Sequence, residues 1–461
     1  MFSSPSLPAV PKATLGIVAI SLLLSSDGLA QMLPSVTPDR WRAVGTLNVM
    51  EFGAKGDGSR DDTAAIQRAL DSAGQSGGGT VYVPGGAYLI AGHLVVPQNV
   101  CLLGCWQAPP TPHVPGAWRP VGSEGAQALG STLLAVEGAG NPNGPALITL
   151  RSNATLRGLV VHYPKQTATD PPTAYPWTIR GAGNNCSVLD MMLVNPYQAL
   201  NLDGAGRHYV RGLYGQPLYR GIYVDTCLDC GRIEDVHFWL FWQHSEALLR
   251  FMAEKAVAFT FGRTDQQMAA RCFCIRYHIG YHFIASPNPK QPGSAGILMD
   301  MCNADHCTYG YLVEKVTPLA GLRATNSHVG KLVVEQTNGG IIELTNCKLY
   351  GPSNDVMAVL DGNAQVALMN CHFFNRDRDE VSGPMVHANR GQLTIVGCHF
   401  RRPDKTQVVL GPELASAVIV GNTLCGGERI INHSKGDVQI GLNAKTPPPK
   451  LVSSPQDQQK E

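Results

Sequence analysis

The chain has 461 residues, among them 50 Gly and 32 Pro, with only 15% charged and 44% hydrophobic residues. That balance has too many core formers for a disordered protein and too little charge for a coiled coil. A formal net charge of +1 provides no global field for nucleic acid or an anionic membrane, and neither is expected as a partner.

In chain order, Lys12 precedes a short apolar run, Leu15 to Leu24, and then Gly28-Leu29-Ala30. A cationic start, a greasy centre and a small-residue end predict a secretory signal peptide over residues 1–30, hence a periplasmic or extracellular location. The run is too short to span a bilayer. Residues 31–45 read as a linker. Asp61-Asp62-Thr63 then precede Ile66, Ala69, Leu70 and Ala73, apolar at helical spacing with acids at the positive end of the dipole. This predicts a capping helix over about 61–74, closing the open end of whatever follows. Residues 441–461 are polar and Pro-rich and read as a disordered tail.

Between 46 and 440 the chain is a string of short apolar runs broken by Gly, Asn and Asp. Arg180, Asp203 and Asp225 recur in similar contexts, and the later runs IIELTNCKLYG, VALMNCHFFN, LTIVGCHFRR and AVIVGNTLCGG keep a period of 22 to 27 residues. One such period cannot bury its own apolar face, so it stacks on the next by parallel strand pairing. The expectation is an all-β solenoid, a single-stranded parallel β-helix of on the order of a dozen turns. Asn346, Asn370 and Asn422 are expected to form a side-chain ladder along it. Thirteen cysteines give an odd number without zinc-like spacing, and Cys347, Cys371 and Cys398 repeat one context. Buried free thiols acting as small apolar fillers fit this better than disulfides.

The pieces Phe52-Gly53-Ala54-Lys55-Gly56-Asp57-Gly58, Asp61-Asp62-Thr63-Ala64-Ala65-Ile66-Gln67 and Gly78-Gly79-Thr80-Val81-Tyr82-Val83-Pro84 resemble the N-terminal module of the pectate-lyase-like superfamily. That group includes rhamnogalacturonase-related and polygalacturonase-related hydrolases, epimerases and phage tailspikes. The resemblance implies a right-handed parallel β-helix and a polysaccharide ligand. The Gly-His-Gly motif of polygalacturonases and the Asp-Pro-His motif of alginate epimerases are missing, so no catalytic residue carries over.

Candidate chemistry lies between Arg180 and Asp305. If Arg180, Asp203 and Asp225 stack on successive turns, their side chains stand about 5 Å apart, a carboxylate pair with a cation suited to glycosidic bond cleavage. Asp300 in GILMDMC echoes Asp225 in GIYVDTC, and Arg263 and Asp265 in FGRTD are candidates for the same column. Turn duty is the alternative for each Asp. The stretch RIEDVHFWLFWQHSE supplies Trp239, Trp242, His237 and Glu246 as sugar-contacting candidates, with core packing as the alternative. The Gln107–Gly130 loop is a candidate cleft wall. The leading expectation is a glycoside hydrolase acting on a plant or algal polysaccharide without a cofactor. The others are a lyase or epimerase using Ca²⁺ held by the same carboxylates with Arg180 or Arg263 as base, and a non-catalytic glycan-binding solenoid.

Overall fold

Short β-branched runs separated by single left-handed residues can satisfy their backbone only by pairing with the next turn of chain. The computed structural model describes residues 45–109, 130–350, 358–373, 383–403 and 405–447, together with Val356. The expected signal peptide, most of the Gln107–Gly130 loop and the end of the C-terminal segment lie outside the described residues.

The fold is a parallel β-helix with three faces. The first face stacks Gly79–Tyr82, Val100–Leu103, Thr155–Arg157, Ser187–Leu193, Tyr209–Gly215, Gly231–Phe238, Thr264–Ala270 and Ala295–Asp300, and continues through Gln365–Met369 to Asp437–Gly441. The second face runs from Gly86–Ile90 and Ser131–Ala135 to Thr423–Cys425 and Ala444–Thr446. The third stacks Ile148–Leu150, Trp177–Gly181, Gln198–Asn201, Arg220–Val224, Val257–Phe261, Ile279–Phe283 and Tyr309–Val313. The final strands extend beyond the boundary expected at residue 440, because Ala444–Thr446 finds a pairing partner in Thr423–Cys425.

The interior is built of like residues at like register. On the third face Ile148, Ile179, Leu200, Ile222, Phe259, Tyr281, Tyr311 and Leu332 are successive partners, and all are buried. Phe259 and Tyr281 stack at 4.7 Å with rings 4° from parallel. The Tyr281 and Tyr311 hydroxyls donate to the carbonyls of Cys272 and Cys302, at 3.0 and 2.8 Å, so each buried phenol is satisfied.

Helix α1, Thr63–Gln75, buries Ile66, Ala69, Leu70 and Ala73. Its acids divide the work. Asp61 accepts from the Thr63 N–H at 3.0 Å, whereas Asp62 turns away to accept the Lys55 and Gly56 N–H groups at 2.7 and 3.0 Å.

The expected asparagine ladder is displaced. Asn346 and Asn370 are left-handed turn residues, with φ of 56° and 52°, a conformation Asn tolerates. Asn422 sits one place later, where its amide oxygen accepts the Cys398 N–H at 2.8 Å and its side-chain N–H₂ donates to Asn443 at 3.0 Å. A true ladder runs along the opposite turn: Asn185 donates to Asn153 at 2.7 Å and Asn153 to Asn99 at 3.0 Å, all three left-handed. All thirteen cysteines are free thiols. Cys347, Cys371 and Cys398 are fully buried, and the Cys371 N–H points at the Cys398 sulfur at 3.3 Å.

Candidate functional site

Outward positions of the third face carry a column of polar side chains. On successive turns the column reads Arg180, Asn201, Tyr223, Thr260, His282 and Leu312, with neighbours about 4.8 Å apart. A cleft of about 410 Å³ opens over it, lined by Tyr219, Arg220, Tyr223, Lys255, Thr260 and His282 among others. Lys255 arrives from outside the coil as the last residue of helix α2, Glu246–Lys255. That helix starts at Ser245, whose hydroxyl accepts the Leu248 N–H at 3.3 Å.

The expected column of Arg180, Asp203 and Asp225 is corrected by this register. Arg180 pairs with Asn201, because burying Ile179 against Leu200 leaves the strands no other alignment. Asp203 and Asp225 do remain equivalent, as the Leu200–Ile222 pairing and the Gly204 N–H to Asp225 carbonyl bond at 2.9 Å require. Asp225 is only 1% exposed. One carboxylate oxygen accepts the Arg263 N–H at 2.7 Å, and the other accepts the Ser286 hydroxyl at 2.8 Å with the Tyr223 hydroxyl 3.5 Å away. Gly262 follows from this, since a Cβ there would lie 2.3 Å from the same carboxylate. Half-buried Asp203 accepts the Thr226 hydroxyl at 2.5 Å.

Tyr223 responds to both. Burial first, then the charges of Asp225 and Asp203, pushes its phenol well above the usual range, so the hydroxyl keeps its proton. His282 Nε2 lies 2.7 Å from a Glu314 carboxylate oxygen. With that nitrogen donating to Glu314, Nδ1 carries the lone pair. The Arg220 guanidinium stands 5.0 Å over the Tyr219 ring, which itself stacks on Tyr197 at 5.0 Å. The Trp177 ring lies 6.3 Å from that of Tyr223. These rings flank the cleft with flat apolar surface.

The remaining candidates lie elsewhere. Arg263 places its side chain across Gly293, near Asp225. Asp265 is exposed on the first-face strand Thr264–Ala270. Asp300 is also on the first face, paired with Ala270 and Thr325, so the resemblance of GILMDMC to GIYVDTC is not an equivalence of position. Its carboxylate accepts from Thr325 and Asn326, which hold its pKa below the usual value.

His237 and Trp239 sit at the second face, in an aromatic cluster with Tyr214, Phe241 and Phe273. The His237 ring is 5.0 Å from that of Phe273 and 5.5 Å from that of Phe241. Trp242 is partly buried against this cluster and the main core. Glu246 is exposed at the first residue of helix α2, so the helix length separates it from Lys255. Tyr223, His282, Arg220, Lys255 and Glu314 were missed as site residues. A signal existed for Tyr223 and His282, which stand immediately after inward-facing Ile222 and Tyr281.

Comparison with known proteins agrees with this architecture. Residues 46–114 match the family described as rhamnogalacturonase A/epimerase, pectate lyase-like, so the resemblance read from the N-terminal module is borne out. Alginate lyase 7 of Azotobacter vinelandii is 50% identical over 64 residues, covering 12% of this chain and 8% of that protein. Mannuronan C5-epimerase AlgE3 of the same organism is 49% identical over 65 residues, covering 13% of this chain and 4% of that protein. The chain thus matches only a small part of the length of these curated relatives. The tailspike protein of E. coli bacteriophage HK620, solved in complex with a pentasaccharide, is similar in fold, with a TM-score of 0.50 at 14% identity over 84% of this chain and 66% of that one. No helix among the described residues is long and apolar enough to cross a membrane.

Proposed function

We propose that the chain acts, as a secreted protein, on an acidic polysaccharide at the third-face cleft, by removing the proton beside a uronate carboxylate. The observation that carries this reading is the composition of the cleft: Arg220, Lys255 and His282 surround Tyr223, with Arg180 in the same column. Cations are what a carboxylated substrate needs, because neutralising the carboxylate acidifies the adjacent C–H. His282 Nδ1 takes that proton, with Glu314 orienting the ring and stabilising the imidazolium. The Tyr223 hydroxyl, kept protonated, gives its proton to the leaving glycosidic oxygen, and a carbon–carbon double bond forms. Delivery of that proton to the opposite face of the same carbon gives epimerisation instead. The relatives named as alginate lyase and mannuronan epimerase support this class.

Hydrolysis by Asp203 and Asp225 has less support. Asp225 is buried and both its oxygens already accept donors, which suits it to anchoring Tyr223 and the Arg263 backbone. The same donor set argues against Ca²⁺ there, since a cation site offers lone pairs and this one is filled with N–H and O–H groups.

The test is incubation of the full chain with alginate and with polygalacturonate, following ultraviolet absorbance of the new double bond, reducing ends, and deuterium uptake from heavy water. Double-bond formation, or deuterium uptake without cleavage, is expected. Reducing ends without either identify a hydrolase and overturn the reading. Binding without any reaction identifies a glycan-binding solenoid and overturns it equally.

A further inference from the structure

A second polar column occupies the other end of the coil, on the second face. His328, Lys348, His372, His399 and Thr423 hold one register position on five successive turns. Lys348 is exposed and the three histidines are half-buried. The His372 and His399 rings lie 4.6 Å apart, and His399 Nδ1 is 2.6 Å from the Thr423 hydroxyl. Arg401, exposed two residues after His399, lies near enough to act on the charge of His372. Among the described residues neither Lys348 nor Arg401 is in an ion pair. Among the described residues, Asp305 at its upper end acts on the charge of His328; it accepts the Tyr350 hydroxyl at 3.0 Å and lies 3.8 Å from His306.

We propose that this column is a second binding site, taking the oxyanions of a sulfated or carboxylated glycan laid along the coil, and that it tightens as the pH falls. The arrangement fits an anion better than a metal, since Lys348 and Arg401 flank the imidazoles and repel a cation. Successive turns set donors about 4.8 Å apart in a straight row, a track suited to a linear polyanion. In the free protein His372 and His328 resist charging. Burial first, then His399, Arg401 and Lys348, lowers the His372 pKa. Burial and Lys348 lower that of His328, with Asp305 opposing. A bound oxyanion offsets this repulsion, so binding and protonation reinforce each other. The site lies on a different face from the cleft and does not depend on the chemistry proposed there.

The experiment measures binding of the full chain to dextran sulfate, with uncharged dextran as control, at about pH 7.5 and about pH 5.5, on either side of the ordinary imidazole value of about 6.5. Affinity for dextran sulfate is expected to rise about tenfold on acidification, the charge contacts of half-buried His372 and His399 each being worth roughly threefold. The H372Q/H399Q double variant loses that rise, and K348Q weakens binding at both pH values. Thermal melting confirms that each variant is folded, and K348Q alone decides the matter if the double variant is not. An Arg220→Ala variant is expected to keep the full pH response. If R220A abolishes binding, or the folded H372Q/H399Q variant keeps the whole pH response, the column is not the site and the proposal falls. If K348Q carries the decision, unchanged affinity has the same meaning.

Discussion

The upper and lower turns of this coil share one interior and differ on the outside. Between Arg180 and Glu314 the chain interrupts its period with helix α2, and the third face there carries Arg220, Tyr223, Lys255 and His282 around a cleft. From Leu312 to Val359 the same outward column reads Leu312, Val333 and Val359, and a second set of polar residues lies on the histidine column of the second face. The inward row stays aliphatic or aromatic throughout. Interior packing is thus repeated along the coil, while the cleft's polar groups gather where an inserted helix adds a wall to one face.

That contrast is open to direct attack. The largest effect is expected in the upper turns: His282→Gln or Tyr223→Phe lowers turnover of the acidic polysaccharide by about 10²–10⁴-fold, measured as initial rates, with little change in melting temperature. Leu312→Ala, next in the column but outside the polar set, leaves turnover near its original value. Inside the coil the expectation reverses. Phe259→Ala removes a ring stacked between Phe238 and Tyr281 and costs about 3–5 kcal/mol in denaturant unfolding. Asp225→Ala sits between the two classes. It strands the Arg263 N–H and the Ser286 hydroxyl, costs about 1–3 kcal/mol, and lowers activity by displacing Tyr223. Full turnover in Asp225→Ala would remove Asp225 from any part in the site.

The smallest effect is a pH dependence. Hydrogen bonds from Thr325 and Asn326 keep the Asp300 pKa below its ordinary value. Its stabilising contribution is therefore present above the unfolded carboxylate pKa and is lost as the pH falls through the folded one. Asp300→Asn is expected to flatten the acid side of the stability curve slightly, seen as a smaller drop in melting temperature on acidification.

The period of 22 to 27 residues made the stacked strands and the inward Cys347, Cys371 and Cys398 legible, since both follow from spacing and polarity alone. Helix α1 was legible from Ile66, Ala69, Leu70 and Ala73. The site was harder because a parallel register cannot be read to within two residues from motif resemblance. Aligning Asp203 with Arg180 satisfied the eye, but burying Leu200 beneath Ile179 satisfied the chain. Lys255 was hidden for another reason, as an inserted helix breaks the period and delivers its last residue to a face the spacing does not foretell. Trp239 and Trp242 drew attention by composition, yet the rings beside the cleft are Trp177, Tyr197 and Tyr219.

The free thiols give this molecule an internal clock. All but Cys101, Cys105 and Cys230 are buried, and they recur along the coil from Cys186 to Cys425. A membrane-permeant or soluble alkylating reagent added to the folded protein would mark Cys105 at once and each sealed thiol only when its own stretch of coil loosens. The order in which mass increments appear would then record which segment lets go first, with no engineered probe.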